Sequence, residues 1–249
     1  MRSRPSARGI PRGSITKFPS EVHAIRACVE GGLSFAILPF AACFAYSPAD
    51  SGPLCDAARS ICAHLKNCDP DWLPRLAARV WLQVASGKRF AATFGARVVL
   101  VPVPGSAATQ VGPWVGERLA WCLKEIGLAG AVWPVLQRRL TVRKSAFAPA
   151  GERPSVLEHY ASFAIERARQ GEWRMPSEAR LRLTLVDDVI TRGRTLLAAA
   201  GRLREAFPTA EIRAFALLRT LARDEPLRRL LDPCEGEVRW TGRDARRFP

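Results

Sequence analysis

The chain has 249 residues, 48% of them hydrophobic, enough to bury a sizeable core in one large domain. Its net charge of +15 favours contact with anions: phosphates, nucleic acid or an acidic membrane face. Only five of its 38 basic residues are lysine. Such an arginine excess also follows from GC-rich coding, and no helix-turn-helix, RNP-type or zinc-finger pattern accompanies it, so nucleic-acid contact rests on charge alone. The seven cysteines (Cys28, Cys43, Cys55, Cys62, Cys68, Cys122 and Cys234) are odd in number and irregularly spaced. They argue against a disulfide framework and for reduced thiols in a cytoplasmic protein. Cys55, Cys62, His64 and Cys68 form a loose C-x6-C-x-H-x3-C group without a CxxC pair, which reads as incidental or buried thiols before it reads as a metal site.

Residues 1–20 are rich in Arg, Pro, Ser and Gly, cannot bury much, and predict a disordered basic tail. The apolar stretch 31–46 imitates a signal sequence. It contains Pro39 and is shorter than the roughly 20 residues of a spanning helix, so a buried strand over 35–46 is the preferred reading and no membrane segment is expected. The turn cluster 47–53 follows, then helices over 54–66 and 71–85, the second with Leu73, Leu76, Val80 and Val84 at helical spacing. Residues 98–103 are a continuous apolar run, as in a strand buried on both faces of a parallel sheet. A small-residue loop (105–108), a helix (111–126), a strand (131–135) and a long basic loop (137–155) come next. Strand 183–186, helix 195–207 and strand 211–218 complete the pattern, and 222–249 is charged without clear periodicity. This alternation predicts an α/β fold, a mostly parallel sheet flanked by helices, with its core over about 96–220 of a domain spanning 21–249.

The chemistry concentrates in residues 183–196, LTLVDDVITRGRTL. A buried strand ends on Asp187 and Asp188, where ligands of open parallel sheets sit. Two adjacent acids repel unless a cation or hydroxyls compensate them, and a Mg²⁺ ion with a ribose diol would do so. Thr191, Arg192, Gly193, Arg194 and Thr195 then form a short loop opening directly onto a helix. Free N–H groups and the positive end of the helix dipole make such a turn a phosphate cradle, with Gly193 permitting close backbone approach. Acids at one end and a phosphate cradle at the other suit a ribose 5-phosphate.

This segment resembles the PRPP-binding motif of type I phosphoribosyltransferases: four hydrophobics, two acids, two hydrophobics and Thr-x-Gly-x-Thr. It departs at Thr184, where the family usually has an aliphatic residue, and at Arg192, where a small one is common. Over about 96–220 the chain is most similar to the ComF-like, amidophosphoribosyltransferase-like branch. VPVPGSA (101–107) resembles its pyrophosphate-binding loop, with Gly105, Ser106 and Ala107 as binding residues. The basic stretch from Arg138 and Arg139 through Arg143 and Lys144 to Arg153 resembles its flexible loop. The branch's frequent N-terminal four-cysteine module is absent. The resemblance implies a type I phosphoribosyltransferase fold with a variable hood. It implies Mg²⁺ as cofactor, held by Asp187 and Asp188 directly or indirectly, and PRPP as donor to a small nitrogenous acceptor. Arg143 and Lys144 would favour the departing pyrophosphate. Many family members dimerise. Two other classes stay open: a non-catalytic PRPP- or nucleotide-binding regulator, and an accessory protein of DNA uptake or handling. His159 reads as a general base only secondarily to a packed or exposed histidine.

Overall fold

The computed structural model describes residues 37–48, 50–87, 89–109, 112–143, 153–167, 180–222 and 225–249. The expected tail 1–20 therefore lies outside the described residues. The elements run β1 (Ile37–Tyr46), α1 (Pro53–Lys66), α2 (Trp72–Ala85), β2 (Gly95–Pro102), α3 (Val115–Glu125), β3 (Ala129–Val132) and β4 (Leu136–Arg138). They continue as α4 (Val156–Ser162), β5 (Phe163–Ile165), β6 (Arg182–Ile190), α5 (Arg194–Ala206), β7 (Glu211–Thr220), a 3-10 turn (Leu227–Leu231), β8 (Cys234–Trp240) and β9 (Ala245–Phe248).

Seven strands form one sheet in the order β3-β2-β6-β7-β1-β8-β9. The first five are parallel, and β8 and β9 close the edge antiparallel. Strict alternation explains the two cores. On β2, Val99 and Val101 join the core beneath α4 and α5, whereas Val98 and Leu100 join the one beneath α2 and α3. Buried on both faces, β2, β6 and β7 need near-continuous apolar sequence. Thr184 on β6 and Arg219 on β7 are buried polar exceptions; the Thr184 hydroxyl donates to the Thr93 carbonyl at 2.7 Å, and Arg219 pairs with Glu225. The stretch 37–46, which imitated a signal sequence, is a buried strand, and no helix among the described residues is long and apolar enough to cross a membrane.

Three expectations need correction. The loop expected over 137–155 begins as strand: β4 pairs antiparallel with β5 in a separate two-stranded sheet. A three-residue strand is too short for periodicity to register. Helix α4 went unread, although Ser155 and Glu158 form a reciprocal capping box that starts it. The charged tail is a hairpin, β8–β9, whose outward residues are arginines and glutamates because it lies at the sheet edge.

Candidate functional site

Strand β2 passes through α3 on one side of the sheet, and its neighbour β6 through α5 on the other. The carboxyl ends of β2 and β6 are thus a topological switch point, where crossovers diverge and leave a crevice. Pairing between them ends at Pro102–Val186. Strand β6 continues beside β7 alone through Ile190, so Asp187 and Asp188 begin where β2 turns away. The structure therefore brings the 105–108 loop and the 187–195 segment, predicted separately, to the same end of adjacent strands. Helix α3 begins close by. A Cβ on Gly116 would stand 3.0 Å from the Val186 carbonyl oxygen and 3.2 Å from that of Val103. Beside it, the indole Nε1 of Trp114 is buried with no hydrogen-bond partner among the described residues.

Alternation sends the two acids to opposite faces. Asp187 follows Leu183 and Leu185 toward α4 and α5; Asp188 points toward α1. The Lys66 ammonium at the end of α1 lies 2.8 Å from Asp188 Oδ2. Burial pulls that ammonium down, and Asp188 more than offsets this, leaving it above its ordinary value. Burial, reinforced by the Asp188 charge, holds the Asp187 carboxyl well above the usual carboxylate range. Each carboxylate accepts the amide of the next residue, at 2.9 and 2.7 Å. Two carboxylates at a strand end suit a Mg²⁺ ion, which is commonly held by one or two carboxylates with water and substrate oxygens filling the remaining positions.

A short turn opens onto α5 at residues 191–195. Gly193, φ +82°, caps α5 in the left-handed conformation, and a Cβ there would meet Val238 Cγ2 at 2.5 Å. The first amides of α5 point out of the helix end. Thr191 and Arg192 are exposed and Thr195 is half-buried. Arg194 turns away from the loop: it grips Asp244 of the β8–β9 turn with two 2.6 Å bonds and the carbonyls of Arg153 and Pro154 at 3.3 and 3.1 Å. Arg192 lies 3.4 Å from the same carboxylate. His159 is 4% exposed, its Nε2 3.4 Å from Thr195 Oγ1. Burial and the Arg138 charge pull it down to about 4, so it is a packed, neutral histidine.

Across the crevice, Ser106 accepts the Val142 amide at 2.9 Å, and the Ala108 amide donates to Thr141 Oγ1 at 3.0 Å. Gly105 and Ala107 are exposed. Arg143 is exposed, and Lys144 lies outside the described residues. Sequence reasoning missed Lys66, which is 122 positions from its partner and carries no local signal. It counted Arg138 only as one of a basic run. The described cysteines are free, and no group of three or more His, Cys, Asp or Glu among the described residues could hold a metal. Cys55 packs in a different cluster from Cys62. No family model matches the chain, and no curated protein matches it.

Proposed function

We propose that this chain is a phosphoribosyltransferase of type I fold, similar to the ComF-like branch, using Mg-PRPP as donor to a nitrogenous acceptor. One observation carries the reading: the acid pair and the α5 N-terminus stand at the two ends of one short turn, on a switch-point crevice. The 5-phosphate would sit on the amides and hydroxyls of 191–195, with the Arg194 side chain bracing the loop from behind. Asp187 and Asp188 would hold the ribose hydroxyls. Bound there, the ion would offset negative charge on the leaving pyrophosphate. As the C1–O bond breaks, the ribose becomes oxocarbenium-like, and the two carboxylates favour that positive charge. The acceptor nitrogen forms the new bond to C1 and gives up its proton. The 105–107 amides and Arg143 would receive the pyrophosphate; the Lys144 assignment falls outside the described residues. Free thiols fit a cytoplasmic setting.

Isothermal titration with PRPP and Mg²⁺, followed by pyrophosphate release with a panel of nitrogenous bases, tests this. Binding with turnover on one acceptor is expected. Replacing Asp187 and Asp188 together with Asn should abolish Mg²⁺-dependent PRPP binding in a folded protein. Undiminished affinity in that variant would show the ribose assignment to be wrong.

A further inference from the structure

Arg138 is a buried cation with no carboxylate among the hydrogen-bond partners that the described residues give it. It is 5% exposed, and among the described residues its hydrogen bonds go to neutral acceptors: Nε donates to the Gly105 carbonyl and Nη1 to the Ser162 hydroxyl. One face of the guanidinium lies 4.1 Å over the Phe163 ring. The Ser162 hydroxyl donates in turn to the His159 carbonyl at 2.6 Å, so the anchor is itself tied into α4. Neutral acceptors satisfy N–H groups but do not cancel a charge, and buried charges are ordinarily paired. Asp187 is the acid whose charge acts on it. The guanidinium thus sits under the 105–107 loop as a buried positive charge that no carboxylate among the described residues hydrogen-bonds.

The same bond sets the direction of a peptide. No peptide bond among the described residues is cis. In a trans peptide the carbonyl and the following N–H point to opposite sides. Holding the Gly105 carbonyl inward on Arg138 therefore turns the Ser106 N–H outward, on a stretch where Gly105 and Ala107 are exposed.

We infer that Arg138 is a positioning residue for the leaving-group side of the crevice: it fixes the Gly105–Ser106 peptide with its N–H outward and lends that loop its positive charge. The inference rests on the reading of the crevice as a PRPP site. It adds that the buried arginine serves the diphosphate end and not the 5-phosphate end. Lysine cannot replace it, because one ammonium on a flexible stem cannot bridge both acceptors in the fixed fork of a guanidinium.

The test titrates the full chain separately with inorganic pyrophosphate and with ribose 5-phosphate, each with Mg²⁺, in wild type, Arg138→Lys and Ser162→Ala. Thermal melts establish which variants fold. In Arg138→Lys, pyrophosphate affinity should fall about tenfold while ribose 5-phosphate affinity holds within about twofold. Unchanged pyrophosphate affinity overturns the inference, as does an equal loss for both ligands, which would mark Arg138 as general support. If Arg138→Lys does not fold, Ser162→Ala decides: about a threefold loss for pyrophosphate alone supports the inference, and no loss overturns it. Wild type that binds ribose 5-phosphate but not pyrophosphate overturns this inference and leaves the reading of the crevice standing. Wild type that binds neither overturns both.

Discussion

Gly193→Ala tests whether the cradle's shape depends on one missing side chain. Two costs are separable. At φ +82° an alanine adopts the left-handed region, which costs about 1–2 kcal/mol for a residue with a Cβ. The added Cβ would also stand 2.5 and 2.7 Å from the two methyls of Val238, which is fully buried on β8. Overpacking of that kind costs about 1–3 kcal/mol. The sum is about 2–5 kcal/mol, a fall in melting temperature on the order of 10 °C for a chain of this size. The assay is urea denaturation of wild type, Gly193→Ala, Val238→Ala and the double variant. Removing the valine methyls leaves only its Cβ, at 3.2 Å. The double variant should therefore recover the steric share, about 1–3 kcal/mol relative to additivity, and retain the backbone share. Ribose 5-phosphate affinity should fall in Gly193→Ala, because the loop can relieve the clash only by moving. An alanine variant as stable as wild type, or a strictly additive double variant, would refute the reasoning.

Other perturbations probe the groups around that loop. The pKa of His159 is depressed to about 4 in the folded state from an ordinary 6.5, so between those values the unfolded chain holds the extra proton. Stability should be complete above about pH 6.5 and decline by about 2–3 kcal/mol as the pH falls to 4, with His159→Gln flattening that decline in urea titrations. Asp244→Ala removes both strong acceptors of Arg194, which is 17% exposed, and should cost about 1–3 kcal/mol in chemical denaturation while weakening ribose 5-phosphate binding. Lys66→Met should lower stability by no more than about 1 kcal/mol, because that ammonium is half-exposed, and combining it with Asp188→Asn should restore most of the loss. A larger loss in the single variant would mean that Lys66 neutralises the acid pair more strongly than its exposure implies.

Legibility in the sequence followed the range of the determining forces. β2, β6 and β7 are readable because burial on both faces imposes a near-continuous apolar run. A glycine at 193 is legible as a turn residue, but the sequence reading ties it to a ligand, whereas what excludes its side chain here is the left-handed conformation and Val238 on β8, 45 positions away. The β8–β9 hairpin is not legible, since an edge strand tolerates the charges of Glu235, Glu237 and Arg239, which mask its alternation. The sequence predicts a strand over 183–186 that ends before the acids. It runs on to Ile190 because β7 continues to pair with it after β2 has left, a fact of the neighbouring strands. The position of Arg194 in the motif does not reveal that its side chain pairs with Asp244, 50 residues away. Long-range partners of this kind leave no local trace.

The same distinction explains why the proposed donor site could be argued from sequence while an acceptor could not. The acid pair and the proposed phosphate-binding turn occupy one continuous segment, so spacing in the chain is spacing in the structure. What acts on the acids from the other elements comes from distant segments: Lys66 from α1 and Arg138 from β4. Each belongs to a helix end or a short strand whose position is set by tertiary packing. Under the proposed reading, Lys66→Met and Arg138→Lys should change leaving-group affinity or turnover while ribose 5-phosphate binding persists, and loss of ribose 5-phosphate binding in both would refute that division of the crevice.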